Sequence, residues 1–172
     1  MFDEINGMPL HPLIIHAPVF GIPLALLLAG LFALPRTREW ARWPLVITVL
    51  GSTAATFAAR ESGQALSASR GFQAGNPVGD LVVQHEMLAD QLFYIMLGYA
   101  VIAVATVFLV TRQVAVPGDP ASVRRSSRGP LGVVLLGLLL VVGAVAMVWV
   151  IRVGDIGARA VWNPTSTGLW PF

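Results

Sequence analysis

The sequence predicts an all-α integral membrane protein: a four-helix bundle forming one domain over residues 1–172. Two bulk properties indicate a membrane protein. Hydrophobic residues make up 56% of the chain and charged residues only 12%, whereas soluble domains carry about 25% charged residues. The mean hydropathy is +0.74. The third observation is that apolar runs long enough to cross a bilayer core of about 30 Å recur along the chain.

Four segments are predicted to span the membrane, at about residues 12–34, 43–66, 81–110 and 130–153. The first contains Pro18 and Pro23, which should bend its helix because each removes a backbone donor. The second has a short apolar run and reaches its full length only by continuing through Arg60 and Glu61. The fourth is the most apolar, and we expect it to contact the most lipid.

The arginines predict an orientation. Two loops, 35–42 and 111–129, hold seven of the eleven basic residues, all of them arginine. Because short arginine-rich loops stay in the cytoplasm, both termini should lie on the outer side. We expect a multi-pass protein of a bacterial inner (plasma) membrane. The arginines do not form the clustered basic patch of a nucleic-acid-binding protein.

The three histidines should lie at one end of the bundle. His11 and His16 begin the first span and His85 begins the third, and alternate ends of successive spans share a side of the membrane. Glu86 and Asp90 fall at the same level. An ionisable group at this depth is costly unless it faces the bundle interior and has a partner. The pattern therefore favours a functional cluster at the outer face.

One chemistry that suits this cluster is a b-type haem held between helices. His16 and His85 would be the axial ligands of the iron, and His11 would orient or hydrogen-bond. The haem propionates would meet arginines at the same end, namely Arg60, Arg152 or Arg159. The chain has no cysteine, which excludes covalent c-type attachment and thiolate metal sites. Such a protein would be an electron carrier or accessory subunit rather than a stand-alone enzyme.

Other chemistries use the same residues. A zinc, copper or iron ion could be bound by imidazole and carboxylate ligands. The candidate ligands are His16, His85, His11 and Glu86, and Asp90 could hydrogen-bond to one of them. A proton relay of histidines and carboxylates is another option. The alternative from a different class is a non-redox scaffold that binds a partner subunit or a second copy of itself. No motif of a hydrolase or nucleotide-driven enzyme is present.

The opening "INGMPLHPLIIHAPVFGIPLALLLAG" resembles the start of a bacterial membrane family, domain of unknown function 2231. The histidine in "VVQHEMLAD" matches that family's histidine in the third helix, and "RVGDIGARAVWNPTS" is similar to its glycine-rich ending. The resemblance covers nearly the whole chain. Some members have a histidine where this chain has Asp155.

The resemblance implies a four-helix membrane protein. Some members are fused to Rieske iron–sulfur or c-type cytochrome modules, which implies redox work in or beside a respiratory chain. This chain carries no such module, so the resemblance implies its own haem or a separate Rieske- or cytochrome-type partner.

Overall fold

The computed structural model describes residues 4–5, 8–111 and 129–164. A hairpin of two short strands, β1 (Glu4–Ile5) and β2 (Met8–Pro9), precedes five helices. The helices are α1 (Leu10–Ile14), α2 (His16–Ala33), α3 (Arg38–Arg70), α4 (Pro77–Thr111) and α5 (Pro130–Trp162). Each long helix packs against the next, and α5 closes the ring against α2. The predicted all-α four-helix bundle is confirmed; most of the predicted loop 111–129 lies outside the described residues.

The first span is broken into two helices near its start. Helix α1 ends at Ile14 and α2 begins at His16. The break has a local cause, because Pro18 has no backbone N–H and its ring crowds the carbonyl four residues earlier, that of Ile14. The short helix α1 packs against α3 as well as α2. Helical hydrogen bonds from the Ile15 N–H to the His11 carbonyl and from the Val19 N–H to the Ile15 carbonyl continue across the interruption.

Three of the described segments are long and apolar enough to cross a membrane: Leu10–Ala33, Pro77–Val110 and Pro130–Trp162. Helix α3 has 33 residues but is more polar, because it turns hydroxyl groups toward the bundle. Two of them are satisfied within the helix: Thr53 donates to the Val49 carbonyl at 2.8 Å and Thr56 to the Ser52 carbonyl at 2.8 Å. Such internal bonds let α3 lie among apolar helices despite its composition.

The middle of the bundle and the end where α2 meets α3 are tightly packed. Their largest fully buried side chains are Ile22, Phe32, Leu45, Val49, Met96, Tyr99 and Leu139. Large apolar side chains also cover the outside of the bundle, as expected for a surface in contact with lipid. At the opposite end lie α1, the last turns of α3, the first turns of α4 and the last turns of α5. We call this the histidine end.

Candidate functional site

The fold brings two of the three histidines together at the histidine end. The rings of His11 and His85 have centroids 6.1 Å apart and are nearly perpendicular, with an angle of 89° between their planes. Both side chains are half-buried. The two residues come from α1 and α4, so the pair exists only because the bundle folds.

His16 does not join this pair. It is exposed and lies outside the cavity that holds the other two histidines. Five residues turn a regular helix by about 140° net, so His11 and His16 lie on different faces of the first span. The sequence predicted His16 and His85 as the pair, with His11 in support. The structure instead brings His11 to His85.

His11 is anchored to α3 by a hydrogen bond to the main chain. Its Nδ1 atom lies 2.9 Å from the carbonyl oxygen of Ala59 and 3.3 Å from the hydroxyl oxygen of Ser62. Ser62 is almost fully buried and donates its own hydroxyl to the Ala59 carbonyl at 3.0 Å. The short helix α1 is thus held against α3 by a polar contact.

His85 is anchored to α5 in the same way. Its Nδ1 atom lies 2.9 Å from the carbonyl oxygen of Val153. A carbonyl oxygen can only accept a hydrogen bond, so the Nδ1 atoms of His85 and His11 must both carry the proton. In a neutral imidazole with this tautomer, the Nε2 atom keeps a free lone pair. Metal-binding histidines commonly have this arrangement, in which one nitrogen is tied to a carbonyl and the other binds the metal.

Both rings line one cavity of about 600 Å³. Cofactor and ligand sites usually measure about 300–1,000 Å³. Much of the wall is aliphatic or aromatic, with side chains from five helices that include Ile15, Val19, Val82, Leu92, Val150 and Trp162. Polar side chains other than the histidines also reach the wall, among them Arg60, Gln64, Ser67 and Glu86. The cavity can therefore take a largely apolar group with a polar edge.

Arg60 is held at the cavity wall by two carboxylates. Its Nε atom donates to Asp90 on α4 at 2.5 Å, and its Nη1 atom donates to the neighbouring Glu61 at 2.5 Å. The ion pair with Asp90 links α3 to α4 beside the histidines. Both side chains of that pair remain partly exposed, so the pair should contribute only about 0–1 kcal/mol to stability.

The other two predicted arginines are placed differently. The guanidinium of Arg152 lies over the ring of Trp149, 5.5 Å from its centroid. Arg159 donates to Asp155 at 2.8 Å, one helical turn away. Arg60 lines the cavity, whereas Arg152 and Arg159 do not.

The described residues do not assemble a multidentate metal site. Among them, no group of three or more histidine, cysteine, aspartate or glutamate side chains is arranged to hold a metal ion. Glu86 reaches the cavity wall, and Asp90 is engaged by Arg60. The predicted ligand set of three histidines and Glu86 therefore does not converge in the described part of the chain.

A family model described as "Predicted membrane protein (DUF2231)" matches residues 7–166. The chain belongs to the DUF2231 family. The match confirms the resemblance seen in the opening, in the His85 segment and in the glycine-rich ending. Together with the long apolar helices, it makes this DUF2231 chain a membrane protein that lies in a lipid bilayer. No curated protein and no solved structure matches it.

The sequence did not reveal the two groups that orient the imidazoles. Ala59 and Val153 act through their main-chain carbonyls, so their side chains carry no chemical signal. The useful signal was the position of His11 and His85 at matching ends of their helices, which predicted that both would reach the same end of the bundle.

Proposed function

We propose that this DUF2231 protein binds one b-type haem at the histidine end, with His11 and His85 as the axial ligands of the iron. It then serves as an electron carrier or as an accessory subunit of a redox complex. The observation that supports this most strongly is the pair of imidazoles on one cavity, each tied through Nδ1 to a helix carbonyl.

The distance between the rings fits two ligands of one metal. Two imidazoles on opposite sides of a metal, each bound at about 2 Å, have ring centroids about 6 Å apart. The separation of His11 and His85 is 6.1 Å. The two protonated Nδ1 atoms point to helix carbonyls, which leaves the two Nε2 atoms as the ligands.

The number of ligands favours haem over a bare ion. Zinc sites in proteins use three or four protein ligands, and the described residues bring together two imidazoles without a third ligand. Haem iron already has four porphyrin nitrogens and needs only two axial ligands from the protein. The size and apolar wall of the cavity also suit a porphyrin better than a hydrated ion.

The polar part of the wall supports a position for the propionates. Arg60, Gln64 and Ser67 line the cavity, and we propose that their polar groups bind the propionates at its edge. Two carboxylates already share the charge of Arg60, but a guanidinium has five N–H groups and can donate to a propionate as well. In this proposal Arg152 and Arg159 are not propionate ligands.

The redox role rests on the cofactor and on the family. When bound, haem supplies one-electron chemistry, and the protein contributes binding, axial ligation and polarity. The cavity reaches exposed residues such as Trp162, which gives a partner close access to the haem edge. We propose that this end lies on the outer side of the bacterial inner membrane, because the sequence predicts that the arginine-rich segments 35–42 and 111–129 connect the spans on the cytoplasmic side. A Rieske- or cytochrome-type protein is the proposed partner.

Three alanine variants test the ligands. His11→Ala and His85→Ala should each lose most of the haem that co-purifies with the detergent-solubilised protein, because each removes one axial bond and its anchor. His16→Ala should keep the wild-type haem content and absorption spectrum, since His16 is exposed outside the cavity.

Haem must be supplied during expression, and circular dichroism should show that every variant stays helical. Loss of haem in His16→Ala with retention in His11→Ala would contradict this assignment of ligands. Absence of haem from the wild-type protein would contradict the proposal itself.

A further inference from the structure

The two histidines meet their partner helices through the same local arrangement. His11 binds the carbonyl of Ala59, and four residues later α3 has Gly63 against the ring. His85 binds the carbonyl of Val153, and four residues later α5 has Gly157 against the ring. In both cases the glycine lies one turn after the residue whose carbonyl accepts the hydrogen bond.

Helix geometry explains why a glycine is needed at that position. The carbonyl of each helical residue accepts the N–H of the residue four positions later, and it has a second lone pair that can accept another donor. At Ala59 the His11 ring shares this carbonyl with the Ser62 hydroxyl. The side chain of that later residue points back toward the preceding turn, so it would cover this second lone pair. Without a side chain, the carbonyl is open to an imidazole from another helix.

The distances show how little room is left. A Cβ atom at Gly63 would lie 3.0 Å from Cε1 and 3.2 Å from Nδ1 of His11. A Cβ atom at Gly157 would lie 3.0 Å from Cε1 and 3.1 Å from Nδ1 of His85. All four distances are below ordinary van der Waals separation, so an alanine would force each ring to shift by a few tenths of an ångström against the hydrogen bond that holds it.

We propose that Gly63 and Gly157 are positioning residues that, with the carbonyls one turn before them, hold both imidazoles in the Nδ1–H form before any cofactor arrives. The proposal deepens the haem assignment, and its functional meaning rests on that assignment, because the Nδ1–H form leaves Nε2 free for iron. Neither glycine touches the iron in this scheme; each acts through a histidine.

The chain offers matched controls. Gly137 lies on the same helix as Gly157, Gly51 lies on the same helix as Gly63, and neither lines the cavity. A Cβ atom at either of these positions would meet no atom within 4 Å. Alanine favours a helix over glycine, so all four Gly→Ala variants should remain helical and differ only in what the new methyl group contacts.

The first readout needs no haem. With ¹⁵N-labelled histidine, NMR of the haem-free protein in micelles reports the tautomer of each of the three imidazoles. The signal that disappears in His16→Gln belongs to His16. Wild type, Gly51→Ala and Gly137→Ala should show His11 and His85 as Nδ1–H. In Gly63→Ala, His11 should lose this form while His85 keeps it; in Gly157→Ala the reverse should occur.

The second readout is haem affinity by titration. Gly63→Ala and Gly157→Ala should bind haem about 10- to 100-fold more weakly, the usual effect of losing a group that orients a metal-binding histidine. The two control variants should bind as wild type does. If either glycine variant changes the reduction potential of the haem while its helix content stays the same, the effect is on the position of the histidine and not on the fold.

The outcomes separate the two proposals. If the tautomers shift as described but the wild-type protein binds no haem, the haem assignment fails and the positioning role stands. If haem binds to the wild type and equally well to all four variants, with unshifted tautomers, the positioning role fails and the haem assignment stands.

Discussion

At the end where α2 meets α3, side chains such as Phe32 and Leu45 are fully buried, whereas the histidine end encloses a cavity of about 600 Å³. The same four long helices run through both regions, and α1 joins them at the histidine end. In the packed region, hydroxyl groups bond within their own helix or to a neighbouring carbonyl, as Thr53 does. At the histidine end, polar side chains from different helices meet around the space. The packed region fixes the spacing of the helices, which lets the other end keep a cavity of defined shape.

The largest expected effect comes from shortening a leucine in the packed region. Leu139 is fully buried, and Leu139→Ala should lower the free energy of unfolding by about 2 kcal/mol or more, because it leaves a new void. Leu66→Ala, on the cavity wall, should cost less than about 1 kcal/mol, since that side chain already borders open space. SDS titration in mixed micelles measures both values. Equal costs would show that the cavity is packed like the rest of the bundle.

A smaller effect is expected where α2 and α3 cross closely. A Cβ atom at Gly21 would overlap the hydroxyl oxygen of Ser52, so Gly21→Ala should destabilise the bundle by about 1–3 kcal/mol through overpacking. Gly30→Ala on the same helix meets nothing within 4 Å and should be neutral or slightly stabilising. Adding Ser52→Gly should recover part of the Gly21→Ala loss. A double variant no more stable than the single variant would argue against this contact.

The smallest effect on stability is expected at the ion pair of the histidine end. Arg60→Gln should change the free energy of unfolding by less than about 1 kcal/mol, because the pair with Asp90 is partly exposed. Haem affinity should fall about 3- to 10-fold, since one charge-assisted hydrogen bond to a propionate contributes on the order of 1 kcal/mol. Arg152→Gln is the matched control, because Arg152 lies outside the cavity wall. Equal haem titration curves for the two variants would remove Arg60 from the propionate site.

Much of the fold follows from the sequence. The apolar runs predicted four helices and their order, because a bilayer demands long apolar segments. Composition did not predict where the helices end. Helix α5, for example, continues to Trp162, although its span was predicted to end at residue 153. Its helical hydrogen bonding continues beyond the apolar segment. The polar character of α3 is explained only by the hydrogen bonds that its hydroxyl groups make inside the bundle.

The candidate site was only partly predictable. Alternation of the spans correctly predicted that His11 and His85 would share one end. It could not choose between His11 and His16, because that choice depends on how α1 packs against α3. The carbonyls of Ala59 and Val153 became visible only with the backbone in place.

Haem binding at the histidine end is best tested by the absorption spectrum of the detergent-purified wild-type protein. The spectrum is recorded after oxidation in air and again after reduction with dithionite. Haem and metal content are determined on the same sample. We predict close to one b-type haem per chain and a Soret band that shifts on reduction. The iron should be low-spin, because it would have two imidazole ligands. Absence of a Soret band after expression with ample haem would contradict the account.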